Sequence, residues 1–276
     1  MITAATRVAG VIGSPIRHSL SPVIHNAAFA DGGLDWIYAA FEVQPGAAAA
    51  ALDAMRSLGI AGLSVTMPHK DEVASAVDVL DIAAAALHSV NTVVLQPDGR
   101  LAGHNTDGAG FVASLLESGV NPAGMTVAVL GAGGAARSVI DALSRVGTDR
   151  LVVVNRSFDR AARAVELGGA RASVGEMADL ARVDLVVNAT SIGMGTHESP
   201  CDVGLLHSAQ VVADLVYHPL ETTLLRAARE CGAVAIDGLG MLVHQAVLQQ
   251  RLWTGISPNP AVMRAAAEHE LAARHG

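Results

Sequence analysis

Residues 126–136 read TVAVLGAGGAA, and they carry the strongest indication of the fold. The aliphatic run 126–130 predicts a buried strand, and the glycine-rich turn after it opens an alanine-rich helix. The turn fits G-x-G-x-x-A, in which glycines permit a tight turn and let the backbone approach a pyrophosphate at the helix N-terminus. The predicted dinucleotide contacts are Gly131, Ala132, Gly133, Gly134 and Ala135. A purely structural tight turn is the alternative interpretation.

The residues after the next predicted strand indicate which dinucleotide binds. An NAD site usually carries Asp or Glu there, to hold the ribose hydroxyls. This chain instead places amide, hydroxyl and guanidinium groups there: Asn155, Arg156, Ser157 and Arg160. Guanidinium groups bind a phosphate in bidentate geometry, whereas a carboxylate would repel it. The pattern therefore predicts NADP, with Asp159 as the one nearby acid and Arg163 on the solvated face of the following helix.

Short β-branched runs alternate with alanine-rich stretches along the chain, which predicts an α/β protein with mostly parallel sheets. The predicted strands lie near residues 7–12, 37–41, 62–65, 93–95, 100–102, 126–130, 151–154, 184–187, 211–215 and 234–236. The turn QPDG at 96–99 predicts a hairpin. Ser21 is predicted to cap a helix that begins at Pro22, and a late helix is predicted to run from about Met241 toward Trp253.

Composition excludes several classes of protein. The chain has 276 residues, which suit one large domain or two ordinary ones, and a net charge of −8 without a basic stripe argues against nucleic-acid binding. No apolar run reaches the roughly 18 residues of a membrane span, and the N-terminus lacks a signal-like pattern. Cys201 and Cys231 fit neither a metal site nor a disulfide framework. We therefore expect a cytoplasmic protein with reduced thiols and no metal.

Lys70 is the only lysine among the 18 Lys and Arg residues, and it ends the run SVTMPHK at 64–70. Arginine supplies charge, but it cannot serve where chemistry needs an amine that loses a proton. A solvated turn explains Lys70 about as well as catalysis does, when its position is considered alone. Asp107 likewise fits an acid in the first turn of a helix. Beside Lys70, however, its carboxylate would hold and tune a proton donor.

Small polar residues occupy predicted strand ends and loops in the first half of the chain. They are Ser19, Ser21, Thr66, Asn91 and Asn105. Singly, each is an ordinary turn or cap residue. Together, they predict hydroxyl and amide groups that converge at one sheet edge, as a polyhydroxylated substrate requires.

These motifs together resemble the shikimate dehydrogenase family. The resemblance is carried by residues 18–22, 64–70, 91–92, 105–108, 131–136, 155–157, 188–194, 217–219 and 240–246. It implies a substrate-binding α/β domain of residues 1–106 and 242–276, and a Rossmann NADP-binding domain of residues 107–241. The implied reaction is NADPH reduction of 3-dehydroshikimate to shikimate and its reverse, in chorismate and aromatic amino acid biosynthesis. A homodimer is compatible with it.

The resemblance also implies roles for individual residues. Lys70 and Asp107 would form the catalytic pair. The substrate contacts would be Ser19, Ser21, Thr66, Asn91, Asp107, Tyr217 and Gln245. The further cofactor contacts would be Thr190, Ser191, Gly240 and Met241, the last two near the nicotinamide.

The chain departs from the family at four positions. The family commonly has Asn at 64, Phe or Tyr at 69, Thr at 157 and Phe at 250, where this chain has Ser64, His69, Ser157 and Gln250. His69 neighbours Lys70 and belongs to a residue type that titrates near neutral pH. These departures bear on the substrate more than on the reaction type.

Two alternative functions remain open. The first is a quinate or aminoshikimate dehydrogenase with similar chemistry. Relatives that prefer quinate tend to alter the Ser19–Ser21 pair and to carry Asp at position 155, and neither change is present. The second is a non-catalytic protein that senses a metabolite, against which the retention of Lys70 and Asp107 argues.

Overall fold

A computed structural model describes residues 2–274. The strands are β1 (Arg7–Gly13), β2 (Trp36–Glu42), β3 (Gly62–Val65), β4 (Val79–Leu80), β5 (Thr92–Leu95), β6 (Leu101–His104), β7 (Thr126–Leu130), β8 (Arg150–Val154), β9 (Ala172–Val174), β10 (Leu185–Asn188), β11 (Val211–Asp214) and β12 (Val234–Ile236). The helices are α1 (Ser21–Asp31), α2 (Ala48–Leu58), α3 (Lys70–Ala76), α4 (Ile82–Leu87), α5 (Asp107–Glu117), α6 (Gly134–Arg145), α7 (Phe158–Val165), α8 (Thr223–Glu230), α9 (Gly238–Thr254) and α10 (Pro260–Ala273). Within residues 2–274, no helix combines the length and apolarity that a membrane span requires.

The chain divides into two compact units. The first unit comprises the residues up to Thr106 and those from Val243 onward, and the second comprises Asp107–Leu242. Each unit contains one six-stranded sheet with helices packed on it. The predicted α/β class is confirmed.

The sheet of the first unit has the strand order β2-β1-β3-β5-β6-β4. β1 pairs in parallel with β2 and β3, whereas β5 runs antiparallel to β3 and forms the predicted hairpin with β6. The register places Ser64 opposite Thr92, and Thr92 opposite His104. The loops that follow β1, β3 and β6, and the loop that precedes β5, therefore leave from one edge of the sheet.

The sheet of the second unit is parallel throughout, in the order β12-β11-β10-β7-β8-β9. This is the strand order of dinucleotide-binding folds, in which the connections reverse direction beside the first strand, here β7. Val127 and Val129 pack into one hydrophobic cluster and Ala128 and Leu130 into another. Burial on both faces explains why this strand reads as a continuous apolar run.

The start of α1 differs from the prediction by one residue. Ser21 is the first helical residue rather than the cap, and Leu20 occupies the cap position. Ser19 Oγ accepts the backbone N–H of Ser21 at 3.2 Å. Ser19, rather than Ser21, thus supplies the hydroxyl group that accepts a backbone N–H at the start of α1.

The start of α9 also differs, because the helix begins at Gly238 rather than near Met241. Asp237 Oδ1 accepts the N–H groups of Leu239 at 3.1 Å and of Gly240 at 3.4 Å. A side-chain acceptor that satisfies first-turn donors fixes a helix start at this point.

Candidate active site

Five of the predicted substrate and catalytic residues leave the same edge of the first sheet. β1 and β3 end at this edge, and the antiparallel strand β5 begins there. The residues on the adjoining loops and helix starts are Ser19, Ser21, Thr66, Lys70 and Asn91. The structure therefore brings together the small polar groups and the lysine, while their individual roles stay predictions.

Ser19 and Ser21 lie at the N-terminus of α1, a helix of 11 residues without an acidic residue in its first turn. Because Ser19 Oγ accepts the N–H of Ser21, its hydroxyl proton remains available to a different acceptor. A helix N-terminus favours negative charge, since its first N–H groups lack intrahelical partners. Two hydroxyl groups at this point suit a carboxylate.

Lys70 is the first residue of α3, and its backbone is fixed on both sides. Its carbonyl oxygen accepts the N–H of Val90 at 3.0 Å. The preceding residue, His69, is fully buried, and its Nε2 donates to the carbonyl oxygen of Val43 at 2.8 Å. His69 Nδ1 lies 3.8 Å from Glu72 Oε2. Placed in this way, His69 anchors the start of α3 in the first unit.

Asn91 holds the residue that precedes Asp107. Its Oδ1 accepts the N–H of Thr106 at 2.8 Å and the hydroxyl of Thr92 at 2.8 Å, and its Nδ2 donates to Thr106 Oγ1 at 2.9 Å. Asn105, also predicted at this edge, is buried. Asp107 follows as the first residue of α5. The residue directly before α5 is therefore fixed by a side chain from the edge of the first sheet.

Gln245 lies on α9. One helical turn later, the side chain of Gln249 contacts Asn91 at the same edge of the first sheet. Gln249 Nε2 donates to the carbonyl oxygen of Asn91 at 3.3 Å. Residues four apart share one face of a helix, so Gln245 lies on the face of α9 that contacts this part of the sheet. Its side chain is buried.

The glycine turn of the second unit has the geometry of a pyrophosphate site. Gly131 has φ +110°, and a Cβ on it would lie 3.0 Å from the carbonyl oxygen of Ala189. A Cβ on Gly133 or Gly134 would meet no atom within 4 Å. α6, of 12 residues, begins here without a side-chain cap, so its first N–H groups suit a phosphate. The predicted residues all lie between β7 and the first turn of α6: Gly131, Ala132, Gly133, Gly134 and Ala135.

The residues after β8 present an amide and two guanidinium groups. Asn155 Nδ2 donates to the carbonyl oxygen of Ser157 at 2.9 Å, and Ser157 Oγ accepts the N–H of Arg160 at 3.4 Å as the cap of α7. Arg156 and Arg160 are exposed. Asp159 lies in the first turn of α7, so the strand end itself carries no acid. This arrangement suits a 2′-phosphate.

Thr190 and Ser191 lie in the loop after β10. Asn188 Oδ1 accepts the backbone N–H of Thr190 at 3.0 Å and its hydroxyl at 2.7 Å. Asn188 Nδ2 donates to the carbonyl oxygen of Ile192 at 3.1 Å. The buried side chain of Asn188 thus holds residues 190–192 of this loop through hydrogen bonds.

Asp214, which was not among the predicted residues, is buried at the end of β11. Its carboxylate accepts from Asn188 Nδ2 at 2.8 Å, from the N–H of Val216 at 3.0 Å and from Thr222 Oγ1 at 2.7 Å. Burial raises the pKa of Asp214, against the effect of these hydrogen bonds. The sequence feature that could have identified Asp214 is an acidic residue at the end of an aliphatic run, because functional groups in parallel sheets lie at strand ends.

The last predicted residues of the second unit follow β11 and β12. Tyr217 directly follows Val216, whose N–H is held by Asp214. Gly240 and Met241 lie near the start of α9, and a Cβ on Gly240 would overlap Ser114 Oγ. The ends of the parallel strands therefore bring all predicted cofactor residues to one edge of the second sheet.

Three family models match the chain in succession. The model of the shikimate dehydrogenase substrate binding domain matches residues 11–93. The model of shikimate / quinate 5-dehydrogenase matches residues 114–194, and that of the shikimate 5'-dehydrogenase C-terminal domain matches residues 238–268. Together these stretches make up most of the chain.

Individual relatives match over nearly the whole length. A shikimate dehydrogenase (NADP(+)) of Moorella thermoacetica is 42% identical over 290 residues, which cover 100% of this chain and 97% of the relative. A crystal structure of a shikimate dehydrogenase in complex with NADP+ is 37% identical, with a TM-score of 0.93 and 98% of each chain covered. The Thermus thermophilus enzyme in complex with NADP(H) and shikimate is 36% identical, with a TM-score of 0.89 and 95% and 99% of the two chains covered.

Proposed function

The chain belongs to the shikimate dehydrogenase family, and on this premise we propose that it catalyses the reversible, NADPH-dependent reduction of 3-dehydroshikimate to shikimate. The observation that carries this proposal is the set of small polar groups at one edge of the first sheet, with the only lysine of the chain among them. Hydroxyl and amide groups suit ring hydroxyls, and an amine suits proton transfer.

The second unit fits NADP as the cofactor. The N-terminus of α6 would hold the pyrophosphate, and Arg156 and Arg160 would hold the 2′-phosphate. The remaining contacts would come from Asn155, Ser157, Thr190, Ser191, Gly240 and Met241. When bound, the cofactor supplies the hydride that reduces the carbonyl carbon of the substrate.

The residues of the first unit would hold the substrate and move the proton. Ser19 and Ser21 would donate to the carboxylate at the N-terminus of α1. The Lys70 ammonium would donate a proton to the carbonyl oxygen as hydride arrives, and the neutral amine would accept it in the reverse direction. Asp107 would stabilise the charged form of Lys70. The ring hydroxyls would be held by Thr66, Asn91, Asp107, Tyr217 and Gln245.

A substrate panel tests this function directly. We expect shikimate with NADP⁺ to give the fastest rise in absorbance at 340 nm, compared with quinate and aminoshikimate and with NAD⁺ as cofactor. Faster oxidation of quinate would favour the alternative that the family description, shikimate / quinate 5-dehydrogenase, also names. Binding of NADP⁺ without oxidation of any of the three substrates would favour the metabolite sensor. The homodimer and the cytoplasmic location stay predictions.

Replacing Arg156 with alanine should weaken NADP⁺ selectively. Arg156 is exposed directly after β8, where no acid stands at the strand end. A hydrogen bond to a charged group contributes about 1.5–3 kcal/mol, so the KM for NADP⁺ should rise about 10- to 150-fold. NAD⁺ has no 2′-phosphate, so its KM should change little. Steady-state kinetics with each cofactor measure both values.

Arg163 provides the matched control for this variant. It lies in the last turn of α7, the helix that follows Arg156, and it is also exposed, so Arg163→Ala removes an equal charge from the neighbouring surface. We expect that control to leave both KM values near wild type. Equal losses for NADP⁺ and NAD⁺ in Arg156→Ala would contradict the 2′-phosphate assignment.

A further inference from the structure

A buried polar cluster adjoins Asn91 in the first unit. Its members are His25, Tyr38, Ser64 and Gln249, with exposed fractions of 0%, 4%, 5% and 2%. Gln249 Oε1 accepts from Ser64 Oγ at 2.6 Å and lies 3.3 Å from His25 Nε2. Gln249 Nε2 donates to the carbonyl oxygen of Asn91 at 3.3 Å. One amide therefore connects α9 to α1, to β3 and to the residue before β5.

The contacts fix the donor and the acceptor in each hydrogen bond of Gln249 and Ser64. The carbonyl oxygen of Asn91 only accepts, so the amide nitrogen of Gln249 faces it. Gln249 Oε1 carries no proton, so Ser64 and His25 Nε2 must both donate to it. Ser64 in turn accepts from the Tyr38 hydroxyl at 2.6 Å. Burial lowers the pKa of His25 to about 4, which favours the neutral ring with its proton on Nε2.

The same face of α9 carries Gln245, Gln249 and Trp253 at intervals of four residues. Trp253 Nε1 donates to the carbonyl oxygen of Val93 at 3.1 Å, two residues after the carbonyl that Gln249 bonds. Two successive turns of the helix are thus bonded to nearby positions along the start of β5. These bonds set the rotation of α9 about its axis, and with it the direction of Gln245.

We propose that Gln249 is a positioning residue of the substrate site, which places Gln245 and Asn91 for their contacts with ring hydroxyls. This inference rests on the proposed function, which assigns those contacts. The next residue, Gln250, offers a contrast within the same helix. It is equally buried, at 1% exposed, but its side chain faces His25 and has no described bond to Ser64 or Asn91.

Replacing Gln249 with methionine should raise the KM for shikimate while the KM for NADP⁺ stays unchanged. Methionine keeps the length and volume of the side chain but cannot make the hydrogen bonds to Ser64, His25 and Asn91. If displacement of Gln245 and Asn91 weakens one to two neutral hydrogen bonds to the substrate, the KM should rise about 3- to 10-fold. Gln250→Met is the matched control, and it should leave the KM for shikimate near the wild-type value at comparable thermal stability.

Gln249→Glu provides a second readout, which a purely structural role would not produce. A protonated glutamic acid donates from its O–H to the Asn91 carbonyl and accepts from Ser64 and His25 on its other oxygen, as glutamine does. The ionised form only accepts, and it would face the Asn91 carbonyl without a proton. Burial raises the pKa of a carboxyl group, so the protonated form should be accessible in mildly acidic solution.

The KM for shikimate of Gln249→Glu, divided by that of wild type at each pH, should therefore fall toward one between pH 8 and pH 5. The titratable side chains that contact this cluster are His25 and Tyr38. In the wild-type protein, burial lowers the pKa of His25 to about 4 and raises that of Tyr38 above its ordinary value, so the wild-type KM in this ratio carries no titration of the cluster in this range. Gln250→Glu should show no such trend.

Gln245→Met separates this inference from the proposed function. If it leaves the KM for shikimate unchanged, the substrate role of Gln245 fails and the inference fails with it. If it raises that KM while Gln249→Met behaves like Gln250→Met, the inference alone is overturned. A pH-independent KM ratio for Gln249→Glu would likewise overturn it. Thermal midpoints of all variants identify any variant that fails to fold. If Gln249→Met or Gln249→Glu fails to fold, the other of these two variants tests the inference.

Discussion

Replacing Lys70 with arginine should lower kcat by about 10²- to 10⁴-fold, the usual contribution of general acid–base catalysis. The guanidinium group keeps the positive charge but stays protonated at every working pH, so it cannot exchange a proton with the substrate oxygen. The backbone at position 70 is held by Val90 and by the buried anchor His69, so the exchange should leave the start of α3 in place. Steady-state oxidation of shikimate at 340 nm measures the effect.

Chemical labelling gives an independent check on Lys70. Because the chain has one lysine, an amine reagent can modify only Lys70 and the N-terminal amine. Its modification should abolish activity, and bound shikimate with NADP⁺ should protect it. Lys70→Ala should bind NADP⁺ normally, since the predicted dinucleotide residues lie in the second unit. An arginine variant that keeps more than about a tenth of the wild-type kcat would mean that Lys70 supplies only charge.

Five of the six strands of the second unit could be predicted, because their apolar character is visible in the local sequence. Residues such as Val127 and Leu130 are buried on opposite faces of β7, so every position from Val127 to Leu130 is apolar. The predicted ranges 62–65, 126–130 and 234–236 coincide with β3, β7 and β12. β4 and β9 were not predicted, because edge strands of two and three residues carry too short a pattern.

The motif residues were predictable for a different reason. The roles predicted for the glycine turn and for the polar groups after β8 depend on backbone conformation and side-chain type, which can be inferred directly from the sequence. The contacts that hold them depend on packing between distant segments. Gln249 bonds Asn91, which lies 158 positions earlier, and Asn188 bonds Asp214 across two neighbouring strands. No local pattern specifies such partners, so the supporting residues emerge only from the three-dimensional structure.

His69 illustrates how placement changes the interpretation of a residue. From the sequence alone it is a titratable neighbour of Lys70. In the structure its ring is buried and its Nε2 is committed to the Val43 carbonyl. The side chain thus fixes the backbone from which Lys70 projects, and the proposed acid–base role of Lys70 does not require His69 to exchange a proton.

Replacing Asp107 with asparagine should lower kcat about 10²-fold or more while it changes the stability of the fold little. The amide keeps the size of the side chain at the first position of α5, and its backbone neighbour Thr106 remains held by Asn91. A charge at a helix N-terminus contributes only about 0.3–1 kcal/mol to stability, so the thermal midpoint should shift by a few degrees at most. If Asp107 tunes Lys70, the loss should instead appear in kcat and in the pH profile of kcat.

Asp71→Asn is the matched control for this variant, because it removes an equal charge from the first turn of α3, directly beside Lys70 in the chain. Asp71 is exposed, and its loss should leave kcat within about twofold of wild type, since water screens the charge of exposed groups. A similar loss in both variants would mean that general electrostatics around Lys70, rather than a specific pair, governs the rate. A sharp fall in thermal midpoint for Asp107→Asn, with unchanged activity per folded molecule, would make Asp107 a helix-capping residue. In that case Lys70 alone would have the catalytic role. Groups of the first unit would then have to adjust the pKa of its ammonium group.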